Sequence, residues 1–221
     1  VGGAVHVAQI DKTAGHPNGF ASYFQEEDAR FALADGSRIG VIGGGPAGSF
    51  FAYFLFRMAE SIGMNVSIDI YEPRLFDQRG PAGCNHCGGV VSESLVQLLA
   101  TEGINLPPAV VLRGIDSYVL HTDVGRVRID TPLQEKRIAA VYRGNGPKQS
   151  EPLDIGSFDR YLLDLSAIKG AKVVRKLVTG FEWDEGRPQI RTADGDEVTY
   201  DLLAVAAGVN SHILEALNNP R

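Results

Sequence analysis

The chain has 221 residues, 44% of them hydrophobic and 22% charged, a balance that suits a folded domain and excludes disorder, collagen and coiled coil. Twenty-one Lys and Arg against 27 Asp and Glu leave a net charge of -6, which argues against nucleic acid or anionic lipid as partner and directs attention to small molecules or proteins. Two cysteines cannot staple a fold of this size, so the chain reads as cytoplasmic and supported by its own core.

Residues 1–37 have no sustained period apart from a charged, helix-like stretch near 24–33, and are read as an N-terminal extension. The start lacks a basic segment followed by an apolar core, so no signal peptide is expected. Ile39, Val41 and Ile42 then form a short apolar strand that runs into Gly43, Gly44, Gly45, Pro46, Ala47 and Gly48. A helix is predicted next, because Ala47, Phe51, Phe54, Leu55 and Met58 recur at helical spacing up to Gly63. The aromatic run Phe50 to Phe56 falls well short of the roughly 20 residues that span a bilayer, and is read as core packing. Val66, Ile68 and Ile70 alternate with polar residues in a second strand that closes at Glu72.

Residues 73–91 carry Pro73, Pro81 and four glycines without a period, and are predicted to be a long loop. A helix from Ser92 to Gly103 would bury Leu95, Leu98 and Leu99. Four alternating segments between residues 109 and 142 are expected to make one inserted antiparallel sheet. Phe158, Tyr161, Leu162, Leu165 and Ile168 outline another amphipathic helix, stopped by Gly170 and followed by the strand Val173–Val174. Three strands from Val178 to Tyr200, with turns at Asp184-Glu185-Gly186 and Asp194-Gly195, read as a meander. The apolar run Leu202 to Ala207 suits the middle of a parallel sheet. The expected fold class is α/β: a Rossmann-like three-layer fold with a parallel sheet, a β-meander and an antiparallel insertion over about residues 109–142.

The chemistry concentrates at Gly43, Gly45 and Gly48. In a GxGxxG turn between strand and helix, the first glycine allows the tight turn, the second lets a pyrophosphate approach the main chain, and the third lets the helix pack on the sheet. The helix N-terminus then offers amides and partial positive charge to the phosphates. Glu72 falls where a carboxylate accepts from a ribose hydroxyl, and would repel a 2'-phosphate. FAD and NAD both satisfy this pattern.

The decision between them comes from the meander and the strand ending Ala206-Ala207-Gly208. With VIGGGPAGS over 41–49, IYEPR over 70–74, Cys87-Gly88-Gly89 before a helix, Phe158-Asp159 with Leu162 and Gly170-Ala171, and AAGVNS over 206–211, residues 38–215 resemble the two-dinucleotide-binding flavoproteins. Within them the likeness is to the geranylgeranyl reductase branch related to para-hydroxybenzoate hydroxylase. The resemblance implies FAD as cofactor and reduction of carbon double bonds in prenyl substrates by hydride from reduced FAD. A flavin monooxygenase or a non-catalytic FAD-binding module is the alternative. The electron donor would be NAD(P)H or a reduced carrier protein, the substrate a small molecule or prenyl lipid, and peripheral contact with a membrane is compatible with it.

The cofactor-binding residues that the resemblance implies are Gly43, Gly44, Gly45, Pro46, Ala47, Gly48, Glu72, Pro73, Arg74, Cys87, Gly88, Gly89, Val178, Ala207 and Gly208. Two departures stand out: Ala207 occupies the place of an acid, and Ile155 the place of an arginine three residues before Phe158-Asp159. The family's second half has no counterpart before Arg221, so residues 38–221 are expected to be a truncated FAD-binding domain. Cys84-Asn85-His86-Cys87 offers at most three ligands where tetrahedral zinc wants four, so no metal is expected. A redox dithiol is the sharper alternative. The plainer reading is a Gly-rich loop that presses its backbone on the flavin ring.

Overall fold

The computed structural model describes residues 32–76, 89–134, 136, 138–143, 157–208 and 211–213. The chain divides into two compact units, Val1–Ala34 and Asp35–Arg221, and every element below belongs to the second.

Strand β1 (Ser37–Ile42) leads into helix α1 (Pro46–Ser61), and the chain returns in β2 (Val66–Tyr71), parallel to β1 with Val41 beside Ile70. Helix α1 ends because Gly63 takes φ +68°, the left-handed conformation that closes a helix without side-chain strain. After the long loop come β3 (Val90–Val91) and α2 (Glu93–Thr101), then β4 (Val111–Ile115), β5 (Ser117–Thr122), β6 (Gly125–Asp130) and β7 (Ile138–Val141). Helix α3 (Phe158–Lys169) and β8 (Lys172–Val174) precede the meander β9 (Val178–Asp184), β10 (Arg187–Thr192) and β11 (Glu197–Thr199). The last strand among the described residues is β12 (Leu202–Val205).

The parallel sheet runs β12-β1-β2-β8. Strand β1 alternates its faces. Ile39 and Val41, both fully buried, turn to the helix side, where Val41 lies under Gly48. Gly40 and Ile42 turn to the meander side, where Tyr200 and Leu203 crowd Gly40. Burying each such Ile or Val contributes roughly 1.5–3 kcal/mol, so the alternation pins the register. Ile42, Tyr71, Val178, Ile190, Tyr200 and Ile213 form the core between sheet and meander. Tyr53, Val91, Leu99, Val110, Val141, Phe158 and Leu162 belong to a second core.

The structure corrects three expectations. The segments of residues 109–142 do not make one sheet: among the described residues β5 pairs with β6 in a two-stranded ribbon, whereas β4 and β7 join β3, part of the expected loop, in a separate sheet. The alternation is similar in all four segments, and which partner each meets is a long-range matter. Second, β12 lies at the edge of the four-stranded sheet, not in its middle, and its apolar residues are only half-buried. Third, Leu98 and Ile168 are exposed and only Leu99 of α2 is buried. On α3 the buried stripe is Phe158, Asp159, Leu162, Leu163 and Ser166. It is rotated from the apolar one because two polar residues on it have partners: Ser166 donates to the Ser49 carbonyl of α1 at 2.8 Å, and Asp159 binds Arg143.

Candidate functional site

The turn from β1 into α1 is built by close packing. Gly43 has φ +102°, a conformation L side chains rarely adopt, and a Cβ there would stand 2.4 Å from the Ala206 carbonyl oxygen. Its N–H donates to the Tyr71 carbonyl at 2.9 Å. A Cβ on Gly48 would come within 1.9 Å of the Gly43 carbonyl oxygen, so α1 can lie this close to the turn only with glycine there. Gly45 differs. Its φ of -69° suits any residue, and the nearest atom to a Cβ there is Asp159 Oδ1 at 4.0 Å. Among the described residues nothing stands closer to that position.

Pro46, at the start of α1, has no amide hydrogen to satisfy and fixes a helical φ. The other first-turn amides have no acceptor within the helix, no side chain caps them, and no acid stands in the first turn. The N-terminal end of α1 therefore keeps its partial positive charge and suits an anion.

Glu72 closes β2 and is buried, with 1% of its side chain exposed. Gly44 lets it tuck in, since a Cβ at residue 44 would meet Glu72 Cβ at 2.7 Å. Glu72 Oε2 accepts from the Gly44 N–H at 3.0 Å and from Arg74 Nη2 at 2.9 Å. Its Oε1 accepts from the Arg74 N–H at 3.0 Å and from Arg74 Nε at 2.8 Å. These bonds hold the Arg74 guanidinium above its ordinary pKa, with desolvation opposing them. Pro73 between them is exposed. Arg175, past β8, donates from Nη1 to the carbonyls of Glu72 and Arg74.

Asp159 and Arg143 complete the site, and the sequence did not single them out as site residues. Arg143 follows β7, and Asp159 stands in the first turn of α3 with its side chain 7% exposed. Their two parallel hydrogen bonds are 2.8 Å long. Arg74 is close enough to feel both charges. Two ion pairs thus flank the turn, Glu72–Arg74 at Gly44 and Asp159–Arg143 with Asp159 Oδ1 next to Gly45. Residue 155, where the resemblance places an arginine, lies outside the described residues; the guanidinium on Asp159 is that of Arg143. Their separation of 16 residues hid the pairing.

Of the other expected site residues, Ala207 stands at the turn, its Cα 3.0 Å from where a Cβ on Gly43 would be, and Gly89 and Val178 stand elsewhere. Gly89 is buried against β7, where a Cβ would meet the Val141 carbonyl oxygen at 2.1 Å. The Val178 side chain belongs to the core beneath the meander. Ala207 is half-buried, and Gly208, at φ +78°, is exposed. Ala47 is exposed at the start of α1. Cys84, His86, Cys87 and Gly88 lie outside the described residues. Among the described residues no group of three or more His, Cys, Asp or Glu could hold a metal, and no helix is long and apolar enough to cross a membrane.

No protein-family model and no curated sequence matches the chain. Solved structures do match in fold. The Diels-Alderase PyrE3 of pyrroindomycin biosynthesis is similar over 83% of this chain and 35% of its own, with 17% identity and a TM-score of 0.56. The halogenase PltM, solved with phloroglucinol and FAD, is similar over 82% of this chain and 36% of its own, with 16% identity and a TM-score of 0.54. The p-nitrophenol 4-monooxygenase PnpA from Pseudomonas putida is similar over 81% of this chain and 43% of its own, with 12% identity and a TM-score of 0.53. At these identities the likeness is one of fold. The α/β fold with a parallel sheet and antiparallel sheets is shared with PltM, whose structure holds FAD. The chain spans well under half the length of each of these three proteins.

Proposed function

We propose that the turn between β1 and α1 binds the pyrophosphate of FAD and that the protein is an FAD-dependent oxidoreductase. The observation that carries this reading is the contrast among the motif glycines. Gly43 and Gly48 are filled in by their own chain, while no described residue comes closer than 4.0 Å to a Cβ on Gly45, at the uncapped end of α1. That is the arrangement a pyrophosphate requires. The fit rests on two features: the uncapped amides of α1 would receive the pyrophosphate charge, and the carboxylate of Glu72, bonded to the Gly44 N–H, would receive the adenosine ribose. FAD, when bound, supplies hydride transfer. The chain's own residues bind and orient it. Residues 38–221 would act as the FAD-binding domain and residues 1–37 as an extension.

Titration of FAD into the purified chain, followed by quenching of flavin fluorescence, tests the reading. Saturable binding that is lost in Gly45→Val is expected. Wild-type protein that leaves flavin fluorescence unchanged would exclude it.

For the reaction, two readings stand. The resemblance at residues 41–49, 70–74 and 87–92 supports reduction of a prenyl carbon double bond, with NAD(P)H or a reduced carrier protein as donor. The fold likeness to PnpA supports oxygen insertion into a small aromatic molecule instead. An anaerobic assay with reduced flavin separates them, because alkene reduction proceeds without oxygen and monooxygenation does not.

A further inference from the structure

We propose that Arg74 sets the affinity of the site for adenosine ribose, by holding the acceptor positions of Glu72 until the ribose hydroxyls take them over. The inference rests on the nucleotide reading above, but only on its adenosine end and not on flavin.

A carboxylate has about four acceptor positions. On Glu72 all four are engaged. Two receive main-chain donors, the N–H groups of Gly44 and Arg74, each at 3.0 Å. The other two receive the Arg74 guanidinium, Nε at 2.8 Å on Oε1 and Nη2 at 2.9 Å on Oε2. With the side chain 1% exposed there is no room for a further donor. A ribose can therefore bond Glu72 only in exchange for Arg74. The exchange conserves donors, because a vicinal diol presents two O–H donors side by side as the guanidinium fork presents two N–H donors, but it trades a charged partner for a neutral one, which is why Arg74 weakens ribose binding.

The two kinds of donor differ in what holds them. The main chain after β2 is fastened: Arg175 donates to the carbonyls of Glu72 and Arg74, Arg160 to that of Leu75 at 3.3 Å, and the Ser157 hydroxyl to that of Phe76 at 3.1 Å. The guanidinium, on rotatable bonds and with 36% of its side chain exposed, can turn while that main chain stays. The Phe76 ring already lies 5.0 Å beneath it, so a displaced Arg74 keeps a partner. Apparent affinity is then the intrinsic affinity scaled by the fraction of molecules in which Arg74 has turned away.

The test compares ADP with 2',3'-dideoxy-ADP by isothermal titration calorimetry on wild type, Arg74→Gln and Arg74→Lys. Arg74→Gln should tighten ADP by about tenfold and leave the dideoxy analogue unchanged. Arg74→Lys, which keeps the charge but not the fork, should fall between. Weaker ADP binding in Arg74→Gln would mean that Arg74 contacts the ligand directly, and would overturn the proposal. So would equal tightening of both nucleotides, or no change. If thermal melting shows that Arg74→Gln does not fold, Arg74→Lys decides by the same criterion. Ribose-dependent tightening without FAD binding would sink the flavin reading alone, whereas no ADP binding in any of the three proteins would sink both.

Discussion

Asp159 grips Arg143 with both oxygens, each bond 2.8 Å long, and its Oδ1 lies 4.0 Å from where a Cβ on Gly45 would stand. The pair thus joins the end of β7, the start of α3 and the turn before α1. Both side chains are largely buried, at 22% and 7% exposure, so neither can fall back on full hydration if the other is removed.

Asp159→Ala and Arg143→Ala should therefore each lower stability by about 3 kcal/mol in urea unfolding. The double variant should cost clearly less than the two together, because the second change removes the group the first left unpaired. Strict additivity would show that the pair is not coupled.

The motif glycines should separate in their effects. Gly43→Ala and Gly48→Ala place a Cβ against carbonyl oxygens at 2.4 and 1.9 Å and should each cost at least about 2 kcal/mol. Gly45→Ala meets no atom of the described residues nearer than 4.0 Å and should stay within about 0.5 kcal/mol of wild type, yet weaken FAD binding by about tenfold. Denaturant curves and fluorescence titration on the three variants check both halves; an equally unstable Gly45→Ala would remove the distinction.

Alkaline pH should unfold the protein through two tyrosines. The Tyr71 and Tyr200 hydroxyls are 2.7 Å apart, and Tyr200 also donates to Asp69 Oδ2 at 2.8 Å. Burial, the largest cause, pushes both phenols above the ordinary value of 10.0, and the Asp69 charge adds to the shift. A raised native pKa keeps the native proton bound where the unfolded chain releases it. Stability should thus hold up to about pH 10 and fall above it. Tyr200→Phe should flatten that fall. Ultraviolet titration of tyrosinate alongside unfolding at several pH values reads it directly, and a wild-type slope that Tyr200→Phe leaves unchanged would count against the assignment.

Ser157 serves two elements at once. Its hydroxyl accepts from the Arg160 N–H as the N-cap of α3 and donates to the Phe76 carbonyl, both at 3.1 Å. Ser157→Ala should cost about 1–2 kcal/mol, and should speed hydrogen exchange around Leu75 and Phe76 as well as at the start of α3. Faster exchange in α3 alone would mean that the second bond holds nothing.

Much of the frame was legible in the residues. Strand β1, helix α1 and strand β2 follow from local rules: alternation of Ile39 and Val41, helical recurrence to Met58, and Gly63 as the stop. The turn at Glu185-Gly186 likewise takes φ +48° and +79°, the left-handed pair that a tight hairpin needs. These signals act over a few residues, so a sequence displays them.

Tertiary structure alone decided three things. It separated β5–β6 from the sheet of β3, β7 and β4, because strands of similar alternation differ only in the partners they meet. It rotated the buried stripe of α3 toward Asp159 and Ser166, polar residues that count as surface until Arg143 and the Ser49 carbonyl appear beside them. And it closed the carboxylate of Glu72 with Arg74. From sequence Glu72 is an acid at the end of a strand; only the folded backbone, pinned by Arg175, Arg160 and Ser157, aims a guanidinium fork at both its oxygens. Hydrophobic period reports which side of an element is apolar, and it carries no information about which distant polar group will neutralise a buried one.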